Sequence, residues 1–278
     1  MSKEAIKSLL RKIIGQEYLE LTTRGNSAIK AALSVVAKEN KEKNKNLKVL
    51  IPQEGGWLTY KTIPESLGLE ITEVKCVQGK ISLADLEQKL SSGKYGALIY
   101  QNPGGYFAEQ PAEKIYTLGQ QHKCRVVVDI SGAIGTELGS GKWADFLVGS
   151  FGEWKLIDAG KGGFISAKSN KLWNLIPEIE ELNNQAALLK IQQKIKDLPN
   201  RISLLTQARE TIIEDLKKSS WNLVRPDDFG LVVVVKFSDD EQKKEIIEYC
   251  RKNDLEWTEC PRYIRLNEPA ISIEVKRL

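Results

Sequence analysis

The segment GSFGEWKLIDAGKGGFIS, residues 149–166, sets Lys155 in a glycine-rich loop between two apolar runs. A loop lysine is ordinarily a solvated charge. One flanked by Trp154, Leu156 and Ile157 can instead be desolvated, and a desolvated amine is a nucleophile and proton carrier near neutral pH. Other polar or aromatic residues also stand just beyond apolar runs. Asp129 closes RVVVDI, Ser150 follows ADFLVG, Asn102 follows YGALIY within QNPGGY, and Trp57 follows KVLI within PQEGGW. The turn TTRGN brings Arg24, Gly25 and Asn26 to the start of a helical pattern, where free backbone N–H groups suit a phosphate.

Other chemistries have little to build on. The single histidine, His122, lies in the polar turn GQQHKC, so zinc clusters and histidine-based nucleophilic triads are excluded. Cys76, Cys124, Cys250 and Cys260 form no C-x-x-C pair and read as reduced thiols of a cytoplasmic protein. GTELGSGKW is no phosphate-binding P-loop, because Ser140 takes the place of the second glycine and Trp143 follows Lys142. The net charge of +4 comes from 41 basic and 37 acidic residues, and the one basic run, residues 41–48, lacks interleaved aromatics, so no nucleic-acid partner is expected. No apolar stretch approaches membrane-spanning length, and the amphipathic start, with Leu9, Leu10, Ile13 and Ile14 along one side, does not read as a signal peptide.

The elements that must position these residues are short apolar runs at 47–52, 69–77, 95–100, 125–130, 144–150 and 162–167. Helical patterns separate several of them. Strands apolar on both faces and separated by helices indicate an α/β fold with a mostly parallel sheet covered on both sides. Ser82 followed by Asp85 marks one helix start. Residues 168–219 read as long helices with a break at Pro199, and FGLVVVVKFS then opens a smaller α+β unit. The expected organisation is a large domain over 1–168, connecting helices over 169–219 and a small C-terminal domain over 220–278. Ligands of open parallel sheets bind beyond the carboxyl ends of the strands, where the lysine, acid, serine, tryptophan and phosphate turn would gather.

That set matches the needs of pyridoxal 5'-phosphate: a lysine for the Schiff base, a carboxylate for the pyridine nitrogen, a phosphate cradle and a flat side chain on the ring. The sequence also resembles the fold-type I pyridoxal-phosphate enzymes, nearest to the DegT/DnrJ/EryC1/StrS aminotransferases. Ser150 stands five residues before Lys155, GKGG begins five residues after it, and Asp129 lies 26 residues before it. Two positions depart from that family's pattern, Lys161 where an acid is usual and Gly132 where a glutamine is usual. NPGGYF is similar to other fold-type I branches.

The resemblance implies an aspartate-aminotransferase-like three-layer large domain and a homodimer. By the same resemblance Lys155 is the catalytic residue, and Asp129, Ser150, Gly25, Asn26, Arg24, Trp57 and Asn102 hold the cofactor. Trp57 is preferred to Tyr60 as ring plate, and Asn102 would replace the missing glutamine. Arg265 and Arg262 would clamp a substrate carboxylate. The implied activity is amino transfer on an amino acid or amino sugar. Lyase, desulfurase or decarboxylase chemistry, or a non-catalytic binding protein, are the alternatives.

Overall fold

In the computed structural model, which describes residues 2–278, apolar strands and amphipathic helices alternate as the hydrophobic pattern requires. The chain opens with α1 (Lys3–Ile14), β1 (Tyr18–Thr22), α2 (Gly25–Lys43), β2 (Lys48–Pro52), α3 (Thr59–Ser66) and β3 (Ile71–Val74). A small hairpin, β4 (Cys76–Val77) and β5 (Lys80–Ile81), precedes α4 (Leu83–Leu90), β6 (Tyr95–Gln101), α5 (Ala112–Gln121), β7 (Arg125–Asp129), β8 (Phe146–Ser150) and β9 (Gly163–Ala167).

Seven strands form one sheet in the order β1-β9-β8-β7-β6-β2-β3. Five neighbours from β3 to β8 are parallel, and β9 runs antiparallel to both β8 and β1. Successive residues along each strand serve opposite cores, as the period of two demands. Val49, Ile51, Ala97, Ile99 and Val127 pack beneath α2, whose small Ala28, Ala31 and Ala32 bring it close to the sheet. Leu50, Leu98, Tyr100, Val126 and Val128 face the other core, shared with α1, α4 and α5. This is the three-layer α/β architecture. Ser82 caps α4 by accepting from the Asp85 N–H at 3.4 Å.

Beyond β9 come α6 (Asn170–Trp173), α7 (Gln185–Lys196) and α8 (Leu198–Leu216). The break between α7 and α8 falls at Asp197, with Pro199 in the first turn of α8, where its missing N–H costs nothing. The remainder, β10 (Asn222–Val224), β11 (Val233–Lys236), α9 (Asp240–Lys252), β12 (Trp257–Cys260) and β13 (Ala270–Ile273), builds a four-stranded antiparallel sheet in the order β10-β11-β13-β12. Its buried face merges with the core under α7 and α8.

Two local expectations change. Residues 18–22, not read as a strand, form β1 at the edge of the large sheet. The buried side of α1 is Ile6, Leu10 and Ile14, at spacing of four, while Leu9 and Ile13 are only partly covered. Among the described residues no helix is long and apolar enough to cross a membrane.

Candidate active site

The carboxyl ends of β1, β6, β7 and β8 open onto a cavity of about 310 Å³. Arg24, Gly25, Asn26, Trp57, Asp129, Ser150 and Lys155 line it, with Tyr106, Ser131 and Lys161.

Lys155 rides on the excursion between β8 and β9. The loop is pinned at its base by the Phe151 N–H donating to the Gly162 carbonyl at 2.9 Å, and by the Ala159 N–H donating to the Phe151 carbonyl at 2.9 Å. Phe151, Leu156 and Ile157 are buried anchors around the lysine. Positive φ at Gly160 (79°) and Gly162 (96°) lets the return strand pass close to the cavity. The Lys155 amine is hydrogen-bonded to the Tyr106 hydroxyl and lies 5.0 Å from the Trp57 ring centroid. Burial pulls its pKa down from the usual lysine value to about 8. Asp129, Glu274 and Asp158 oppose that shift, and Arg265 adds to it.

Asp129, at the end of β7, is buried. One carboxylate oxygen accepts from the Tyr60 hydroxyl at 2.9 Å and the other from the Ser131 N–H at 2.9 Å. Two donors leave lone pairs for a further partner. Burial and the adjacent carboxylate push the Tyr60 phenol far above its ordinary range, so it stays a donor.

Ser150 closes β8. Its N–H donates to Ser131 Oγ at 2.9 Å, and its own Oγ accepts from the Gly152 N–H at 3.2 Å. Gly25, the first residue of α2, sits so close that a Cβ there would lie 2.7 Å from Ser150 Cβ. The opening N–H groups of a helix have no partner inside it, so α2 turns a donor-rich positive end toward Ser150. Asn26 Oδ1 accepts from Trp57 Nε1 at 3.2 Å and from Thr59 Oγ1 at 3.2 Å, which ties the indole to the helix start. Arg24 is exposed at the rim.

Three residues singled out in the sequence are placed elsewhere. Asn102 does not line the cavity. Its Oδ1 accepts from the Gln110 N–H at 3.0 Å and its Nδ2 donates to the Leu138 carbonyl at 3.5 Å, so both ends hold the loop after β6. Arg265 is buried in a two-point pair with Glu274, Nη2 to Oε2 at 2.7 Å and Nε to Oε1 at 3.2 Å. Its Nη1 donates to the Ile264 carbonyl at 2.8 Å, so its donors are committed within the protein. Arg262 is exposed and lies outside the cavity lining.

Sequence reasoning missed Tyr106 and Ser131, and weighed Tyr60 only as the less favoured ring plate behind Trp57, whereas its hydroxyl donates to Asp129. Tyr106 approaches from the loop after β6 with positive φ (69°), and its ring fills the space over Gly132, where a Cβ would lie 2.7 Å from the ring. Glycine at 132 was the one legible sign that something large comes close there.

No protein-family model and no curated protein matches the sequence. Solved structures do match. Helicobacter pylori PseC, an aminotransferase involved in the biosynthesis of pseudoaminic acid, superposes with a TM-score of 0.79 at 14% identity over 98% of this chain and 85% of its own. Serine palmitoyltransferase from S. paucimobilis, with a bound PLP–myriocin aldimine, gives 0.73 at 14% identity over 98% and 70%. The 3-amino-5-hydroxybenzoic acid synthase gives 0.75 at 12% identity over 98% and 85%. The chain therefore has the fold of these proteins, over nearly its whole length.

Proposed function

We propose that this protein is a pyridoxal-phosphate-dependent transferase of aminotransferase type, acting on an amino acid or amino sugar. The observation that carries the reading is the meeting of a desolvated Lys155 amine, the buried Asp129 carboxylate and the N-terminus of α2 around one cavity on the carboxyl edge of a parallel sheet. The solved structures that share the fold include an aminotransferase and a protein with bound PLP, which supports the same reading.

The residues present fit the cofactor. The opening N–H groups of α2, Ser150 and the rim cation Arg24 suit a phosphate, and the close contact of Gly25 with Ser150 leaves room for the anion only because position 25 has no side chain. Asp129 retains acceptor capacity for a pyridinium N–H, and Trp57, held by Asn26, offers a flat face. The cavity volume, about 310 Å³, matches a small-molecule site. When bound, the cofactor supplies an electron sink for the bonds at an amino-bearing carbon. The protein's own part is different. The Lys155 amine, about half neutral near pH 8, would hold the cofactor as its nucleophilic partner and would carry a proton at Nζ. Asp129, fixed by Tyr60 and Ser131, holds a positive charge opposite itself.

Residues 1–168 hold the cofactor in this reading, the helices of 169–219 connect, and 220–278 supply a wall of buried charges. We also infer a homodimer, for which the exposed Leu189 on α7 and Leu204 on α8 offer apolar surface, and a cytoplasmic location, in keeping with four free thiols. The test is an absorbance band between roughly 380 and 430 nm on adding pyridoxal phosphate, followed by borohydride reduction and peptide mapping. A label on Lys155 is expected, and so is its loss, with turnover, in Lys155→Ala. No band, or a label on another lysine, refutes the reading.

A further inference from the structure

Beside the Tyr106 ring lies a charged cluster that the proposed chemistry does not use. Arg265, Glu274 and Lys276 are 2%, 2% and 5% exposed. Lys276 Nζ reaches Glu274 Oε2 at 3.1 Å, beside the two-point Arg265–Glu274 pair, so two cations share one carboxylate. Ser272 and Thr258 add hydrogen bonds to the same Glu274 oxygen, Oε1, at 3.0 and 2.9 Å. Burial pushes the Glu274 carboxyl up, but Arg265 and Lys276 pull it down to about 2, so it stays ionised. Burial pulls the Lys276 amine down to about 8, with Arg265 and Lys155 adding to the shift and Glu274 opposing it, so below that pH the cluster carries one uncompensated positive charge away from water.

One aromatic ring is shared by that charge and the lysine. The Arg265 guanidinium lies 5.1 Å and Lys276 Nζ 5.5 Å from the Tyr106 ring centroid. The Lys155 amine, bonded to the hydroxyl of the same tyrosine, lies 4.8 Å from that centroid. A like charge at such range in a dry interior disfavours a second ammonium. The remaining charges facing Lys155 are Asp129 from β7 and Asp158 from its own loop, which act the other way, and Arg24 and Lys161 at the exposed rim, which solvent screens. Cys260 and Arg262 stand near the cluster, and burial raises the Cys260 thiol, so it stays neutral.

We propose that the Arg265–Glu274–Lys276 cluster is a positioning device that acts beside Tyr106 as a single buried positive charge and keeps the Lys155 amine free of its extra proton. The inference rests on Lys155 being the reactive residue of the proposed function. It also explains why a sheet remote in sequence places three ionisable side chains beside one tyrosine.

The experiment follows the acylation of Lys155 by acetic anhydride in cofactor-free protein as a function of pH, read by peptide mass mapping. The wild-type midpoint is expected near pH 8. Lys276→Met leaves the cluster neutral and raises the midpoint by about one pH unit, so labelling at neutral pH slows roughly tenfold. Glu274→Gln removes the one anion of the cluster, which opposes the downward shift of Lys155, and lowers the midpoint. The double variant restores a single positive charge and returns the midpoint close to wild type, and Lys276→Arg leaves it there. Midpoints that coincide across the set, or that all move in one direction, overturn the proposal, because a merely structural role cannot produce opposite shifts. Should Glu274→Gln fail to fold, Lys276→Met against Lys276→Arg still decides. The readout needs no cofactor, so a Lys155 that never reacts with pyridoxal phosphate would refute the functional reading and leave the charge series intact.

Discussion

Replacing Tyr60 with phenylalanine tests how Asp129 is held. The phenol is fully buried, and its hydroxyl donates to Asp129 Oδ2 at 2.9 Å, one of two hydrogen bonds to that carboxylate from within the protein. Tyr60→Phe keeps the ring and its packing beneath α2, so no cavity term enters beyond one oxygen. What is lost is a hydrogen bond to a charged, buried acceptor, about 1.5–3 kcal/mol. Each kcal/mol moves the melting temperature of a chain near this size by about 2–4 °C, so a loss of about 2 kcal/mol predicts a drop of about 4–8 °C. Differential scanning calorimetry of wild type and Tyr60→Phe at pH 7, both without cofactor, measures it. A variant melting within about 1 °C of wild type would show that the phenol adds nothing to the carboxylate, and the orientation of Asp129 would then rest on the Ser131 N–H alone.

Three further outcomes follow from the same geometry. Gly25→Ala places a Cβ 2.7 Å from Ser150 Cβ, so Ser150 or the helix start must move. Overpacking of about 1–3 kcal/mol is expected to weaken pyridoxal-phosphate binding about tenfold or more in a spectrophotometric titration, whereas unchanged affinity would place the phosphate elsewhere. Glu274 has its folded pKa depressed to about 2, so its contribution to stability is present above the ordinary carboxylate range near 4.5 and is lost as pH falls toward 2. Urea midpoints between pH 6 and 3 should fall less steeply in Glu274→Gln than in wild type, and equal slopes would contradict the pairing. Gly149→Ala sets a Cβ 2.3 Å from the Phe164 ring between β8 and β9, and a thermal melt should show a destabilisation of about 1–3 kcal/mol.

The layers of the fold were legible because the inner strands β2, β6, β7, β8 and β9 are buried on both faces, so their apolar runs are continuous and short. β1 was not, since YLELT carries Glu20 and gains its place only by pairing with β9, a contact made across more than a hundred residues. In the site, the residues that line the cavity and stand directly on strand ends or on the helix start, Asp129, Ser150, Gly25 and Asn26, could be found because the topology of a parallel sheet gathers such positions without further detail. Residues whose role depends on a tertiary approach could not. Tyr106 swings in over Gly132, Tyr60 reaches Asp129 from α3, and Ser131 serves both Asp129 and Ser150.

Arg265 shows why chemistry read from a residue type alone overreaches. A guanidinium is the natural clamp for a carboxylate, and this one does hold a carboxylate at two points, but it belongs to Glu274, nine residues on. A substrate carboxylate could take that place only by expelling Glu274, which would strand an anion beside a buried Lys276. Separating one member of such a buried set costs about 3–5 kcal/mol, more than a single new charge-assisted hydrogen bond returns. Apart from Lys155, the cations that do line the cavity are Arg24 and Lys161, both exposed. Lys161 sits between Gly160 and Gly162, whose left-handed backbone carries the chain around it to the rim. Under the proposed function, the cations free to meet an anionic group on a substrate are those at the rim of this cavity rather than the buried Arg265.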